Sequence, residues 1–277
     1  MIMKGFKVSE IILLSRREIH SIITGSDIVV EVLDIRIPEM LRNHFLENTA
    51  IRSGKRLVIL LNKSDLIPRD VAEEWVRYYR EKGYEAYSAS VIERRIGGLR
   101  RVIKEHLSMS GGRSIYISIF GAPKVGKSSL VNLLKGRRSA TVSRYPGTPG
   151  YTRYTQTYRV MPGVYLIDTP GALPIELDTL ESIIRTRPPE KIENPIPIAI
   201  RLMNRILSLE HQSLREDLKV LSTRAEDILS EYALRRGWVR NGEPDMREAA
   251  IDIIRRYLDG RIRFYTKPED LNILQKI

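Results

Sequence analysis

Apolar residues recur at helical spacing through 9–24, where Ile11, Ile12, Leu14, Ile19, Ile22 and Ile23 share one face and Gly25 closes the run. That spacing predicts an amphipathic helix. Two mostly apolar runs follow, the β-branched Ile28–Leu33 closed by Asp34 and Arg56–Leu61 closed by Asn62, short enough to predict buried strands. A helix is predicted over 70–82, stopped by Gly83, then a short strand at Tyr84–Ser88 and a basic helix over 97–108. Beyond a glycine-containing link at 108–113 come a strand at Ile115–Phe120 and a helix opening at Ser128–Leu134. Next is a hairpin of Tyr154–Val160 with Val164–Ile167, turning at Pro162-Gly163. Strands alternating with helices predict an α/β fold built on a six-stranded, mostly parallel, doubly wound sheet.

The pattern then changes. Pro188, Pro189, Pro195 and Pro197 crowd one stretch, which reads as a semi-rigid linker over 181–197. Downstream, Leu202/Ile206/Leu209, Leu214/Leu218/Leu221, Ile228/Leu229/Tyr232 and Ala250/Ile254/Leu258 recur at helical spacing, with Gly237 and Gly260 as stops and Pro244-Asp245 as a start. The expected organisation is an α/β domain over 1–180, the linker, and a small all-helical domain over 198–277.

At 277 residues and 42% hydrophobic content the chain is long enough to bury a sizeable core. It contains no cysteine, which excludes disulfides and thiolate metal sites. No signal-peptide pattern or apolar run of membrane-spanning length occurs, so a cytoplasmic protein without membrane contact is expected. The net charge of +12 lies in one segment: residues 94–153 hold thirteen Lys or Arg against the single acid Glu105. A solvated face is the plain alternative. A single-sign excess of this size fits a polyanionic partner better, and RNA leads.

Chemistry enters with five short segments. Gly121-Ala-Pro123-Lys124-Val125-Gly126-Lys127-Ser128-Ser129 lies between a strand and a helix. This is where backbone N–H groups at a helix N-terminus cradle phosphate, Lys127 reaches the β- and γ-phosphates and Ser128 ligates Mg²⁺. Asn62-Lys63-Ser64-Asp65 ends a strand, where open α/β sheets bind ligands. Asp65 can accept from guanine N1–H and the 2-amino group, which adenine lacks. Lys63 can lay its stem along the base, and the Ala89 N–H of Ser88-Ala89-Ser90 can meet O6. Asp168 would hold Mg²⁺ through water, and the Gly171 N–H would meet the γ-phosphate. Thr148 and Thr152 both follow a Pro-Gly pair, and Thr152 is the favoured second metal ligand. Together these select GTP and GDP with Mg²⁺.

The base-reading tetrad precedes the phosphate loop, the reverse of an ordinary GTPase. With that order, and with Asp34-Ile-Arg36-Ile-Pro38 looking like an Asp-Ala-Arg-x-Pro motif, the chain resembles the circularly permuted GTPases of YlqF/RbgA type, which act in ribosome assembly. The resemblance covers nearly the whole chain. It implies a circularly permuted P-loop GTPase domain followed by helices, and slow GTP hydrolysis stimulated by a ribosomal particle or rRNA, here bound through 94–153. A monomer is expected.

Three departures stand out. Ala172 and Leu173 replace the water-orienting glutamine that many GTPases carry after the glycine, as the family's hydrophobic substitution implies, so the catalytic group is unassigned and Lys127 carries the transition-state charge. The Phe-Pro-Gly-His-Met motif of some members is missing; His20 reads as a helix-surface residue. Lys124 stands where the family usually has an Asn that supports K⁺, so a K⁺ requirement is not expected and the Lys124 ammonium is a candidate substitute. A non-catalytic, GTP-gated RNA-binding adaptor is the competing reading. A trafficking GTPase has no lipidation motif to support it.

Overall fold

A computed structural model describes residues 14–136, 141–143, 156–169, 179–209 and 213–274. Helix α1 (Arg16–Thr24) starts at a capping box, with Ser15 and Glu18 each accepting from the other's backbone N–H. The part of the expected helix before residue 14 lies outside the described residues. Strand β1 (Ile28–Asp34) is buried along its whole length, Glu31 included. Helix α2 (His44–Arg52), β2 (Arg56–Asn62), α3 (Arg69–Glu81), β3 (Glu85–Ser88) and α4 (Gly97–Met109) follow. Next come β4 (Ile115–Phe120), α5 (Lys127–Lys135), β5 (Thr141–Ser143), β6 (Gln156–Met161) and β7 (Val164–Asp168).

The strands order as β3-β2-β1-β4-β7-β6-β5. The first five are parallel, and β6 and β5 run antiparallel at one edge. The expected six-stranded sheet is thus present, extended by the three-residue edge strand β5. Strand order reverses between β1 and β4, both central, which is where open sheets leave a ligand crevice.

The chain continues through α6 (Thr179–Thr186), α7 (Pro195–Leu207), α8 (Leu214–Leu218), α9 (Ala225–Arg235) and α10 (Met246–Leu258). The stretch expected as a linker carries helix instead. Glu181 and Arg185 of α6 are fully buried, Pro189 opens a 3-10 turn, and Pro195 opens α7, where a missing N–H costs nothing. Leu221, expected on a helix face, is 88% exposed, because Lys219 adopts a left-handed conformation (φ +57°) and ends α8. Leu202, Ile206, Ile228, Leu229 and Ile254 pack in the core.

The helices are fastened to the sheet. Arg36, just past β1, donates through Nη1 to Tyr257 O at 2.8 Å. Its own carbonyl accepts from Thr266 N at 2.7 Å, and Trp75 Nε1 donates to Thr266 O at 2.6 Å. All these groups are buried, so each bond replaces water that the site excludes.

Candidate functional site

Strands β1, β2, β3, β4 and β7 end on the same edge of the sheet, at Asp34, Asn62, Ser88, Phe120 and Asp168. A cavity of about 530 Å³ opens there, walled by the tetrad (Asn62, Lys63, Asp65) on one side and the phosphate loop (Lys124, Gly126, Ser128) on the other. Pro123, Lys127 and Ser129 also line it, whereas Val125 points into the core.

Asn62 ties the two walls together. Its Nδ2 donates to Val125 O at 2.8 Å, and its Oδ1 accepts from Val91 N at 3.2 Å. That approach is open only to glycine at 126, where φ is +101° and an added Cβ would lie 2.4 Å from Asn62 Nδ2. Gly121 meets the same limit against β1, with a Cβ position 2.3 Å from Val32 O. Ser90 Oγ donates to Asp65 Oδ1 at 2.5 Å and fixes the carboxylate.

Of the Ser88-Ala89-Ser90 segment, the structure turns only Ser90 toward Asp65. Ala89 N donates to Leu61 O at 2.8 Å and Ala89 O accepts from Ser64 N, so β-pairing consumes the backbone of Ala89, which is buried. Ser88 pairs with Leu61 in the sheet. Val91 and Ile92, which the sequence did not mark, line the cavity, and the buried second serine, Ser90, reaches Asp65.

Lys127 is buried at the start of α5, with Nζ donating to Gly121 O at 2.6 Å and Ala122 O at 2.8 Å. Burial brings its pKa down to about 8, against the opposing pull of Asp168. Burial likewise raises the Asp168 carboxyl, and Lys127 and Lys135 oppose it. Thr169 Oγ1 donates to Ile119 O at 2.7 Å, which holds the end of β7 against β4. Lys124, at φ +64°, turns its ammonium outward to Ile184 O and Arg187 O, both at 3.0 Å, at the end of α6. It therefore caps a helix in this conformation, and a K⁺-like position inside the phosphate loop is not the one it takes.

Behind the tetrad lies a buried ion cluster that the sequence reading did not anticipate. Asp34 accepts from Arg36 Nε at 3.0 Å and Nη2 at 2.8 Å, and pairs with Lys63 Nζ at 3.0 Å and Arg185 Nη2 at 3.3 Å. Burial alone would raise the Asp34 carboxyl, but Arg36, Lys63 and Arg185 together hold it well below the carboxylate range. Burial holds the Lys63 ammonium below its usual range, opposed by Asp34. Arg185 Nε donates to Glu181 Oε2 at 2.7 Å, and Glu181 Oε1 accepts from Tyr257 OH at 2.8 Å and Arg205 Nη1 at 3.2 Å. The cluster joins the β1 motif, the tetrad lysine, α6, α7 and α10.

Thr148, Thr152, Gly171, Ala172 and Leu173 lie outside the described residues. Of the basic segment, Arg100, Arg101 and Lys104 are exposed on α4 and Arg113 on the following loop. No helix among the described residues is long and apolar enough to cross a membrane.

A strand-end tetrad, a glycine-built phosphate loop and a cavity between them define a P-loop GTP-binding protein whose segments run in permuted order. Residues 116–228 match the family described as 50S ribosome-binding GTPase. An uncharacterized GTP-binding protein of Methanocaldococcus jannaschii is 34% identical over 254 residues, covering 90% of this chain and 66% of its own length. The guanine nucleotide-binding protein-like 3 homolog of Caenorhabditis elegans is 29% identical over 282 residues, covering 91% of this chain and 50% of its own. This chain thus spans about half to two thirds of the length of these relatives. Among solved structures, GNP-bound YlqF from T. maritima is similar in fold, with a TM-score of 0.64 and 23% identity, covering 92% of this chain and 98% of that one. The chain thus shares the circularly permuted P-loop fold of YlqF and is similar in sequence to GTP-binding proteins of archaea and eukaryotes.

Proposed function

We propose that this protein hydrolyses GTP to GDP and phosphate as a switch in ribosome assembly, binding a ribosomal particle or rRNA. The observation that carries the nucleotide reading is Asn62, bonded at once to the phosphate loop and to the Val91 backbone beside Asp65. Guanine would be read by Asp65, held by Ser90. The family description and the relatives' printed names support a ribosomal setting.

The donor set suits Mg²⁺: the exposed Ser128 hydroxyl at the start of α5, and the Asp168 carboxyl, which burial penalises until a cation compensates it. Ser128, Asp168 and Thr152 would hold the ion, which would neutralise charge on the β- and γ-phosphates. Lys127 would leave the Gly121 and Ala122 carbonyls for the phosphates, and backbone N–H groups from Gly126 onward would orient them. With Ala172 in the glutamine position, the intrinsic rate should be slow and the particle should complete the site. Arg100, Arg101 and Lys104 present a cationic face of α4 to RNA.

Single-turnover hydrolysis of GTP and ATP, with and without separated ribosomal subunits, tests this reading. Hydrolysis of GTP alone, accelerated at least tenfold by one subunit, is expected. GTP binding with no hydrolysis under either condition would establish the competing reading, a GTP-gated RNA-binding adaptor.

A further inference from the structure

The cavity wall is not made by the α/β half alone. Leu258, the last residue of α10, and Asp259, its C-cap, line the same space as Asn62, Asp65 and Lys127. Three contacts lock that short segment in place. On its N-terminal side, Tyr257 O accepts from Arg36 Nη1 at 2.8 Å, and Arg36 is bound to the Asp34 that also holds Lys63. On its C-terminal side, Gly260 sits at φ +75° directly against Leu66, where an added Cβ would lie 2.5 Å from Leu66 Cδ1. A little farther on, Thr266 bonds to the Arg36 carbonyl. Leu258 is mostly buried, while Asp259 is 46% exposed and its ion pair with Arg261 is long at 3.8 Å. Its carboxylate is therefore accessible at the cavity.

A nucleotide spanning this site has its ends assigned, the base at Asp65 and the phosphates at Lys127. The sugar must pass between them. A carboxylate is a poor neighbour for phosphate and a good acceptor for hydroxyls. We infer that Asp259 is a nucleotide-binding residue that accepts from the ribose hydroxyls, so that the C-terminal helices form part of the guanine-nucleotide site. The inference rests on the GTP-site reading above. It makes occupancy of the site and docking of α10 mutually stabilising, because the same segment serves both.

The test compares Kd values for GDP and 2′,3′-dideoxy-GDP, by fluorescence competition, in the wild type and in Asp259→Ala. The substituted side chain is half exposed, and an unchanged melting temperature without nucleotide confirms the fold. Asp259→Ala should weaken GDP about threefold to tenfold, the range of one hydrogen bond. It should change dideoxy-GDP by less than about twofold, a coupling that a merely structural role would not produce. Equal loss for both nucleotides, or no loss for either, would overturn the inference while leaving the GTP-site reading intact. Failure of the wild type to bind GDP would overturn both.

Discussion

Replacing Asp34 by Asn removes one negative charge and little else. The carboxylate is fully buried, and its partners Arg36 and Arg185 are also buried, with Lys63 only 15% exposed. An amide in its place offers one acceptor oxygen and turns an NH₂ group toward a guanidinium. Water cannot enter to compensate, so the cost is that of leaving cations buried without a counter-charge, about 3–5 kcal/mol. Against a typical total of about 5–15 kcal/mol, this is a large share. At about 2–3 °C per kcal/mol for a chain of this size, the melting temperature should fall by about 6–15 °C. The pH dependence adds a second check. Because the folded-state carboxyl is held well below its ordinary value, its contribution is complete above the unfolded value near 4 and is lost as pH falls through the folded one. Urea unfolding of wild type and Asp34→Asn at pH 7, 6 and 5 should give the same difference at each pH, shrinking only below about pH 4. A difference under about 1 kcal/mol, or one that already fades between pH 7 and 5, would refute the account of the cluster.

Other expectations follow from single contacts. Asp65→Asn should lower GTP affinity by about a hundredfold or more, since a donor replaces an acceptor facing N1–H, and should improve binding of xanthosine nucleotides; competition titrations read both. Lys124→Ala removes two bonds to the end of α6 and should raise hydrogen exchange there, with a loss near 1 kcal/mol and no protection change in α4. Joint replacement of Arg100, Arg101 and Lys104 by Ala should make the slope of log Kd for RNA against log salt shallower by about two to three. An unchanged slope would place the RNA elsewhere.

The strands were legible because β1, β2 and β4 are short, mostly apolar runs and a parallel sheet buries both faces. Phosphate-loop and tetrad positions were legible because their glycines and polar residues are set by local backbone geometry. Which serine of Ser88-Ala89-Ser90 meets Asp65 was not legible, because serine recurs at 88 and 90 and only the pairing of Ala89 with Leu61 turns Ser90 toward it. The prolines at 188–197 suggested a linker because proline breaks helices in their interior, yet it also begins them, as Pro195 does. The Asp34 cluster was invisible for a different reason. Its partners stand as far apart in sequence as residues 34, 63, 185 and 257, and no spacing rule links them.

The permuted order also has a consequence in time. A chain grows from its N-terminus, so β1 exists for about eighty residues before β4 arrives to cover its open side. At about 5–20 residues per second that is roughly 4–16 s, during which an apolar central strand presents an unpaired edge. The Arg36 side chain waits longer still: its acceptor at Tyr257 lies 221 residues downstream. The cavity, lined in part by Leu258 and Asp259, can therefore take its final form only once α10 has been made, so a product truncated before it would lack a finished cavity however well its sheet had formed.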